Sequence, residues 1–340
     1  MKTNRQELLD ALIAVQPGLA SKEVIEQSSS FIFIDGEVVA YNDEIAISCP
    51  VEGLGIVGAV EARPFLKLLQ KLPDTEIEIM TKGEEIRIES GRRKAGVNIA
   101  PEVTIPLKEI GKPQKWNKVP QGFSEGVSFC SFSASSDMTK PILTCLHISG
   151  VRIQSCDDFR ATRCDIGKWS GGDVLLPTRA ARILVQYEPT HWGSTTGWIH
   201  FKNEETGVRF SCRTLEDRDY PDLDRFFDVE GLEIDLPEAT AEILDRVRIF
   251  SEQEHAQDEE IEVTLRENKM VLHGKGSSGW MKERIKVGYG GDEEIRFHIN
   301  PVFFSDILEI LDSVIVADNM LKLDGDDFSH VVMLLSGESE

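Results

Sequence analysis

The sequence predicts an α+β fold of three tandem modules, each with two helices laid on antiparallel sheets, and three observations predict it. Apolar residues recur at 3.6-residue spacing in six stretches, the signature of helices with one buried face. Each stretch is accompanied by runs of period-two alternation, which read as strands. Two segments rich in Pro, or in Asp, Arg and aromatics, cut the 340 residues into thirds. That length exceeds what a single core serves, so several domains are expected.

The first module, residues 1–115, opens with a helix carrying Leu8, Leu9, Leu12 and Ile13. Strands follow at Phe31–Ile34, Val38–Tyr41 and Glu44–Ser48, with Asp35-Gly36 as a hairpin turn. Pro64 opens a second helix through Phe65, Leu68, Leu69 and Leu72, and strands cover Glu76–Met80, Glu85–Glu89 and Ala95–Ile99. Pro101, Pro106, Pro113 and Pro120 mark an extended linker.

The second module, 121–226, repeats the unit. A helix carries Phe123, Val127 and Cys130, and strands follow at Leu143–Ile148, Val151–Ser155 and Ala161–Ile166. Pro177 opens a helix with Ala180, Ile183, Leu184 and Tyr187 on one face, and Gly197–Lys202 and Val208–Arg213 close the module. Thr214 to Asp228 reads as a second linker. The third module, 231–340, has strands at Leu232–Leu236, Glu260–Leu265, Met270–Gly274, Trp280–Val287, Met320–Leu323 and His330–Leu335. Its helices carry Thr240, Ile243, Leu244, Val247 and Phe250, then Phe304, Ile307, Leu308 and Leu311 behind the cap Asn300-Pro301.

Charge is distributed unevenly. The net charge is −22, yet residues 1–120 hold 15 Lys/Arg against 18 Asp/Glu, and 121–230 hold 12 against 16. Residues 231–340 hold 10 against 25. A basic face is therefore available in the first two modules despite the acidic total. No apolar run approaches the roughly 20 residues of a membrane span, and Met1-Lys2-Thr3-Asn4-Arg5 lacks a signal-peptide core, so a cytoplasmic location is expected. Cys49, Cys130, Cys145, Cys156, Cys164 and Cys212 are scattered and read as reduced, buried thiols.

No nucleotide-binding loop, nucleophile elbow or zinc-protease motif is present, so neither an enzyme nor a cofactor is expected. The acidic sets Glu216/Asp217/Asp219/Asp222/Asp224 and Asp324/Asp326/Asp327 could bind Mg²⁺ in a nuclease, but a solvated linker and a hairpin turn account for them more simply. Asp157 and Asp158 beside Arg160 read as stabilisers of a turn.

Several local motifs carry a resemblance. Lys140-Pro141-Ile142-Leu143-Thr144, followed by Ser155-Cys156-Asp157-Asp158-Phe159-Arg160-Ala161, resembles a R-P-x-L-x-G strand leading to a T-D-G-H-R-L-A turn. Leu176-Pro177-Thr178-Arg179 resembles a V-P-R-K helix start, and Arg213 to Asp222 a K-L-V-D-G-R-F-P-D-Y linker. His330-Val331-Val332-Met333-Leu334 is similar to a terminal Y-V-V-M-P. In this order, these are motifs of the bacterial DNA polymerase III β sliding clamp. The sequence departs at Asp158 and Phe159, which replace Gly-His, at the missing Pro after Met333, and in the extension Ser336–Glu340. Such drift fits a clamp encoded by a phage or another mobile element.

The resemblance implies that the modules form half of a ring, a homodimer that encircles double-stranded DNA without reading its sequence. It also implies tethering of a DNA polymerase and a clamp loader through a short peptide motif. Its implied peptide pocket is Leu143, Cys156, Phe159, Arg160, Ala161, Arg246, Val247, Val331, Val332, Met333 and Leu334. DNA-facing cations would be Lys22, Arg63, Lys67, Lys71, Arg179 and Arg182, while the helix behind Pro301 offers only Asp306 and Glu309. Ring closure would involve Ile105 and Leu107 against Met270 and Leu272. The competing reading is an acidic DNA mimic or adaptor that binds a DNA-processing enzyme, which predicts acid throughout the chain.

Overall fold

A computed structural model describes residues 2–51, 53–216, 219–308 and 313–335. Asp217, Glu309, Leu311 and the extension Ser336–Glu340 lie outside the described residues. In chain order the elements are β1 (Lys2–Asn4), α1 (Arg5–Val15), β2 (Ser30–Ile34), β3 (Glu37–Tyr41), β4 (Ile45–Pro50), β5 (Gly58–Glu61) and α2 (Ala62–Lys71). Then come β6 (Glu76–Lys82), β7 (Glu85–Ser90), β8 (Arg93–Asn98), α3 (Leu107–Ile110), β9 (Asn117–Lys118) and α4 (Phe123–Ser131). β10 (Cys145–Ser149), β11 (Arg152–Cys156), β12 (Arg160–Asp165), β13 (Val174–Pro177), α5 (Thr178–Leu184), β14 (His191–Thr195), β15 (Trp198–Lys202), β16 (Arg209–Arg213) and α6 (Asp224–Phe227) follow. The chain continues through β17 (Leu232–Asp235), α7 (Thr240–Arg248), β18 (Ile261–Arg266), β19 (Lys269–Gly276), β20 (Gly279–Lys286) and β21 (Ile295–Ile299). α8 (Pro301–Leu308), β22 (Ser313–Val316), β23 (Met320–Asp324) and β24 (Phe328–Met333) end it.

Six of the eight α-helices among the described residues are the predicted ones, and their starts follow local chemistry. Asn4 caps α1, accepting from the N–H groups of Gln6 and Glu7 at 2.9 and 3.4 Å. Asn300 accepts from Val302 at 2.9 Å at the start of α8. Pro64 sits inside the first turn of α2, two residues after its start, where its missing N–H costs no helical bond. The buried stripe of α1 is Leu8, Leu9, Ala11, Leu12 and Val15; Ile13 points outward and is 45% exposed. Asp35 and Gly36 both have positive φ, 51° and 77°, as a two-residue primed hairpin turn requires.

Two compact units result. The first comprises residues 1–131, 144–152 and 166–218. It holds a four-stranded sheet, β1-β6-β7-β8, and an eight-stranded one, β5-β2-β3-β4-β16-β15-β14-β9. The eight-stranded sheet joins segments far apart in sequence, because β16 pairs with β4 with Phe210 opposite Ile47. Pairing of this kind covers strand edges that would otherwise be open. His200 lies buried there between Thr195 and Ser211, at 2.9 and 2.8 Å. Burial, and then the charge of Arg209, push its pKa down to about 4.

The second unit comprises 132–143, 153–165 and 219–340. In it β11, β12, β24, β23, β22 and β17 lie side by side, and β20-β19-β18-β21 form a separate four-stranded sheet. α7 sits close on β19 at Gly274, where an added Cβ would stand 2.3 Å from the Val247 carbonyl oxygen. That close approach requires glycine. Val247, Leu272, Phe304, Leu321 and Val332 belong to one buried cluster of this unit. Each fully buried side chain of this kind contributes about 1.5–3 kcal/mol.

Candidate functional site

The strongest concentration of predicted site residues lies where β12 meets β24 in the second unit. The register sets Arg160 opposite Val332, Ala161 opposite Val331 and Thr162 opposite His330. The Met333 N–H donates to the Phe159 carbonyl at 2.7 Å, which ties the C-terminal strand to the turn before β12. Asp157 makes that turn: its Oδ1 accepts from the N–H groups of Phe159 and Arg160 at 2.8 and 2.9 Å. Asp158 instead pairs with Lys140, at 2.6 Å. Asp157 therefore serves the turn, as the sequence suggested, while Asp158 is held by Lys140 outside it.

An apolar cluster lies beside this turn. Cys156, Ala161, Leu223, Phe227, Met320 and Val331 are buried in it, with Leu143, Tyr220, Phe226, Val229, Ala317 and Met333 partly exposed at its margin. The structure thus gathers five of the predicted pocket residues: Leu143, Cys156, Ala161, Val331 and Met333. Sequence reasoning missed Tyr220, Leu223, Phe226 and Phe227, which it placed in a linker, and Val229 just beyond that linker. The Tyr220 hydroxyl accepts from the Cys156 N–H at 2.9 Å, fastening that segment to β11.

Arg160 forms the adjoining rim. Its Nε donates to Asp157 at 3.1 Å and its Nη1 to Asp306 of α8 at 2.5 Å. The guanidinium lies over the Phe303 ring at 4.4 Å and the Phe132 ring at 5.7 Å. Asp306 is thereby neutralised. Phe159, Leu334, Val332 and Val247 join the neighbouring core cluster, the last two fully buried. Arg246 is elsewhere engaged, its guanidinium held by Glu283 of β20 at 2.8 and 3.0 Å. Val332 and Val247 therefore act as packing beneath the surface, since no ligand can touch them.

His330 supports the same strand pair from inside. Its Nδ1 is 2.8 Å from the Thr162 hydroxyl, which is 2.5 Å from that of Ser133. Burial, followed by the charge of Arg160, pushes its pKa down to about 3. The unfolded chain takes up this proton below about pH 6.5, whereas the folded chain does so only near pH 3. Stability from the neutral ring is therefore complete above pH 6.5 and is lost progressively as pH falls toward 3. Its share of the loss is about 2 kcal/mol by pH 5. Chemical denaturation at pH 7 and pH 5 checks this: H330N should flatten part of the pH dependence, leaving the part due to His200.

Comparison with solved structures decides the fold. The DNA polymerase III subunit beta from Pseudomonas aeruginosa superposes with a TM-score of 0.85, covering 98% of this chain and 99% of that one at 17% identity. The chain has the fold of the bacterial sliding clamps. The DNA polymerase sliding clamp from Bacillus subtilis matches at TM-score 0.83 and 16% identity over 99% and 98% of the two chains. The Thermotoga maritima DNA polymerase III beta subunit matches at 0.78 and 21% over 98% of each. No protein-family model matches the chain, and no curated protein matches it by sequence.

Within the sliding-clamp fold, the predicted DNA-facing cations are all in the first unit and all exposed. Arg63, Lys67 and Lys71 project from α2 on the side opposite buried Phe65, Leu66 and Leu69. Arg179 and Arg182 project from α5, and Arg182 also donates to the Ser131 carbonyl at the end of α4, at 2.5 Å. Lys22 stands on the loop between α1 and β2.

Three of the four residues named for ring closure are corrected by burial, and Leu107 is half-buried. Ile105 is 5% exposed and packs with Leu107 in a cluster containing Tyr41 and Trp198. Met270 and Leu272, at 1% and 0%, face the interior of β19. Side chains that complete a chain's own core cannot also form the surface that meets a second copy. The end strands β8 and β20 carry open backbone groups instead.

The acidic sets are dispersed among separate partners. Asp224 pairs with Arg163, Asp324 with Lys322 at 2.8 Å, and Glu216 accepts from the Gly197 N–H at 2.7 Å. Among the described residues no group of three or more His, Cys, Asp or Glu could hold a metal ion, and no helix is long and apolar enough to cross a membrane.

Proposed function

We propose that the protein is a DNA sliding clamp, a non-catalytic processivity factor that closes as a homodimeric ring around duplex DNA and tethers a polymerase. The observation that carries this reading is the clamp fold over essentially the whole chain. In it, residues 1–115, 121–226 and 231–340 are three clamp modules. Topological closure explains how a chain of net charge −22 holds DNA: linkage, rather than attraction, keeps it there. Loose phosphate contacts from α2 and α5 and the loop at Lys22 then suffice for sliding.

The partly exposed margin of this cluster, Leu143, Tyr220, Phe226, Val229 and Met333, lying over buried Cys156, Ala161 and Val331, is the proposed seat of a partner peptide's apolar anchors. Arg160 is preorganised beside it, and adaptable Met333 suits several partners. A polymerase and a clamp loader are the partners proposed for it, with action in the cytoplasm. Ring closure would pair the end strand β8 of one copy with β20 of another, through backbone hydrogen bonds and the side chains Ala95, Val97, Met281 and Ile285.

Light scattering of the full chain tests this assembly. A stable mass near twice 38.0 kDa is expected. A monomer or a trimer at micromolar concentration would contradict the dimeric ring.

A further inference from the structure

One charged surface is used by none of the roles above. Residues 231–340 are the most acidic part of the chain, yet seven of their ten Lys/Arg lie on strands β18–β21 or the turns joining them. Strand alternation and the registers place Arg266, Lys269, Lys275, Lys282, Arg284, Lys286 and Arg296 on one face of that sheet, away from α7. Arg266 and Arg296 are offset by Glu294 and Glu262. The other five, on β19 and β20, are exposed and form no ion pair among the described residues.

An aromatic ring lies among these five cations. Trp280 is 67% exposed, faces Lys275 in register and meets the His273 ring edge-on at 6.2 Å. An exposed tryptophan flanked by lysines on a flat strand face is a stacking platform with an electrostatic track beside it. Lys282, Arg284 and Lys286 follow at alternate positions, so their stems repeat at about 6.6–6.8 Å, a spacing an extended nucleic-acid backbone can follow.

We infer that this face binds single-stranded nucleic acid, with phosphates along Lys282, Arg284 and Lys286 and a base on Trp280. The chemistry favours a single strand over a duplex, because paired bases are already stacked and give the indole nothing. It favours nucleic acid over an acidic peptide, which would use the cations and leave Trp280 idle. Closure through the backbone edge of β20 would leave this face open. The inference does not rest on the clamp reading, since encirclement involves duplex DNA and other residues.

The test is a titration of the full chain with oligo(dT), a blunt duplex of equal length and polyglutamate, following tryptophan fluorescence at low salt. Quenching by oligo(dT) is expected, with a log affinity against log salt slope of about −3 if most of the five cations engage. K269E/K275E, which leaves the edge strand intact, and K282E/R284E/K286E should each weaken binding at least about tenfold. W280A should remove the quenching while light scattering shows an unchanged mass. Unchanged oligo(dT) affinity in both charge variants would overturn the inference, as would equal or tighter binding of duplex or polyglutamate.

Discussion

Replacing Lys67, Lys71, Arg179 and Arg182 by Glu is expected to abolish clamp-dependent DNA synthesis. All four are exposed, and reversal at Arg182 also removes its bond to the Ser131 carbonyl. Each reversal turns an attraction to phosphate into a repulsion, and four together should lower processive synthesis at least about a hundredfold. K112E/K115E, which reverses two exposed lysines outside α2 and α5, is the control and should leave synthesis near normal. Primer extension on a long template in limiting polymerase makes the measurement. Normal product length from the fourfold variant would refute the DNA-facing assignment.

The second large effect concerns the partner groove. M333A is expected to weaken binding of a polymerase-derived clamp-binding peptide about tenfold, or roughly 1.4 kcal/mol, and deletion of residues 333–340 should abolish it. Met333 is the reporter because its side chain reaches the margin of the apolar cluster, while its N–H bond to Phe159 survives truncation to alanine. Calorimetric titration reads the affinity, and the H330N variant provides a comparison in which the strand pair is altered from inside. Undiminished peptide affinity in the deletion would rule this groove out as the docking site.

Much of the fold was legible because the signals were local. Asp35-Gly36, Asn300-Pro301 and the apolar spacing of α2 and α7 each act within a few residues. What escaped was set by distant partners. β5, β9, β13, β14 and β21 are short strands whose existence depends on a neighbour: β5 pairs with β2, and β9 with β14. No periodicity over two to five residues distinguishes them from loop. The continuity of β4 with β16, and of β12 with β24, likewise cannot be read from either strand alone.

The candidate groove divides the same way. Leu143, Cys156, Ala161, Val331 and Met333 were found through motifs. Tyr220, Phe226 and Phe227 were present in a segment read as a solvated linker, yet three aromatics in eight residues are more than such a linker needs. That density was the available signal. Val332 carried a motif match and Val247 a place implied by the resemblance, but neither is exposed, and burial is a property of the assembled core. The edge assignment of Met270 and Leu272 failed for a related reason: alternation along β19 tells which residues share a face, and not which face is covered by α7.

The central claim is topological, and threading tests it most directly. A closed ring can pass onto a linear duplex through a free end but cannot enter a covalently closed circle unaided. Protein incubated with linear duplex, whose ends are then blocked with bulky caps, should stay on the DNA through a high-salt wash. The same protein incubated with a closed circle of identical sequence should wash away. Equal retention on both, or on neither, would contradict a clamp that holds DNA by encircling it.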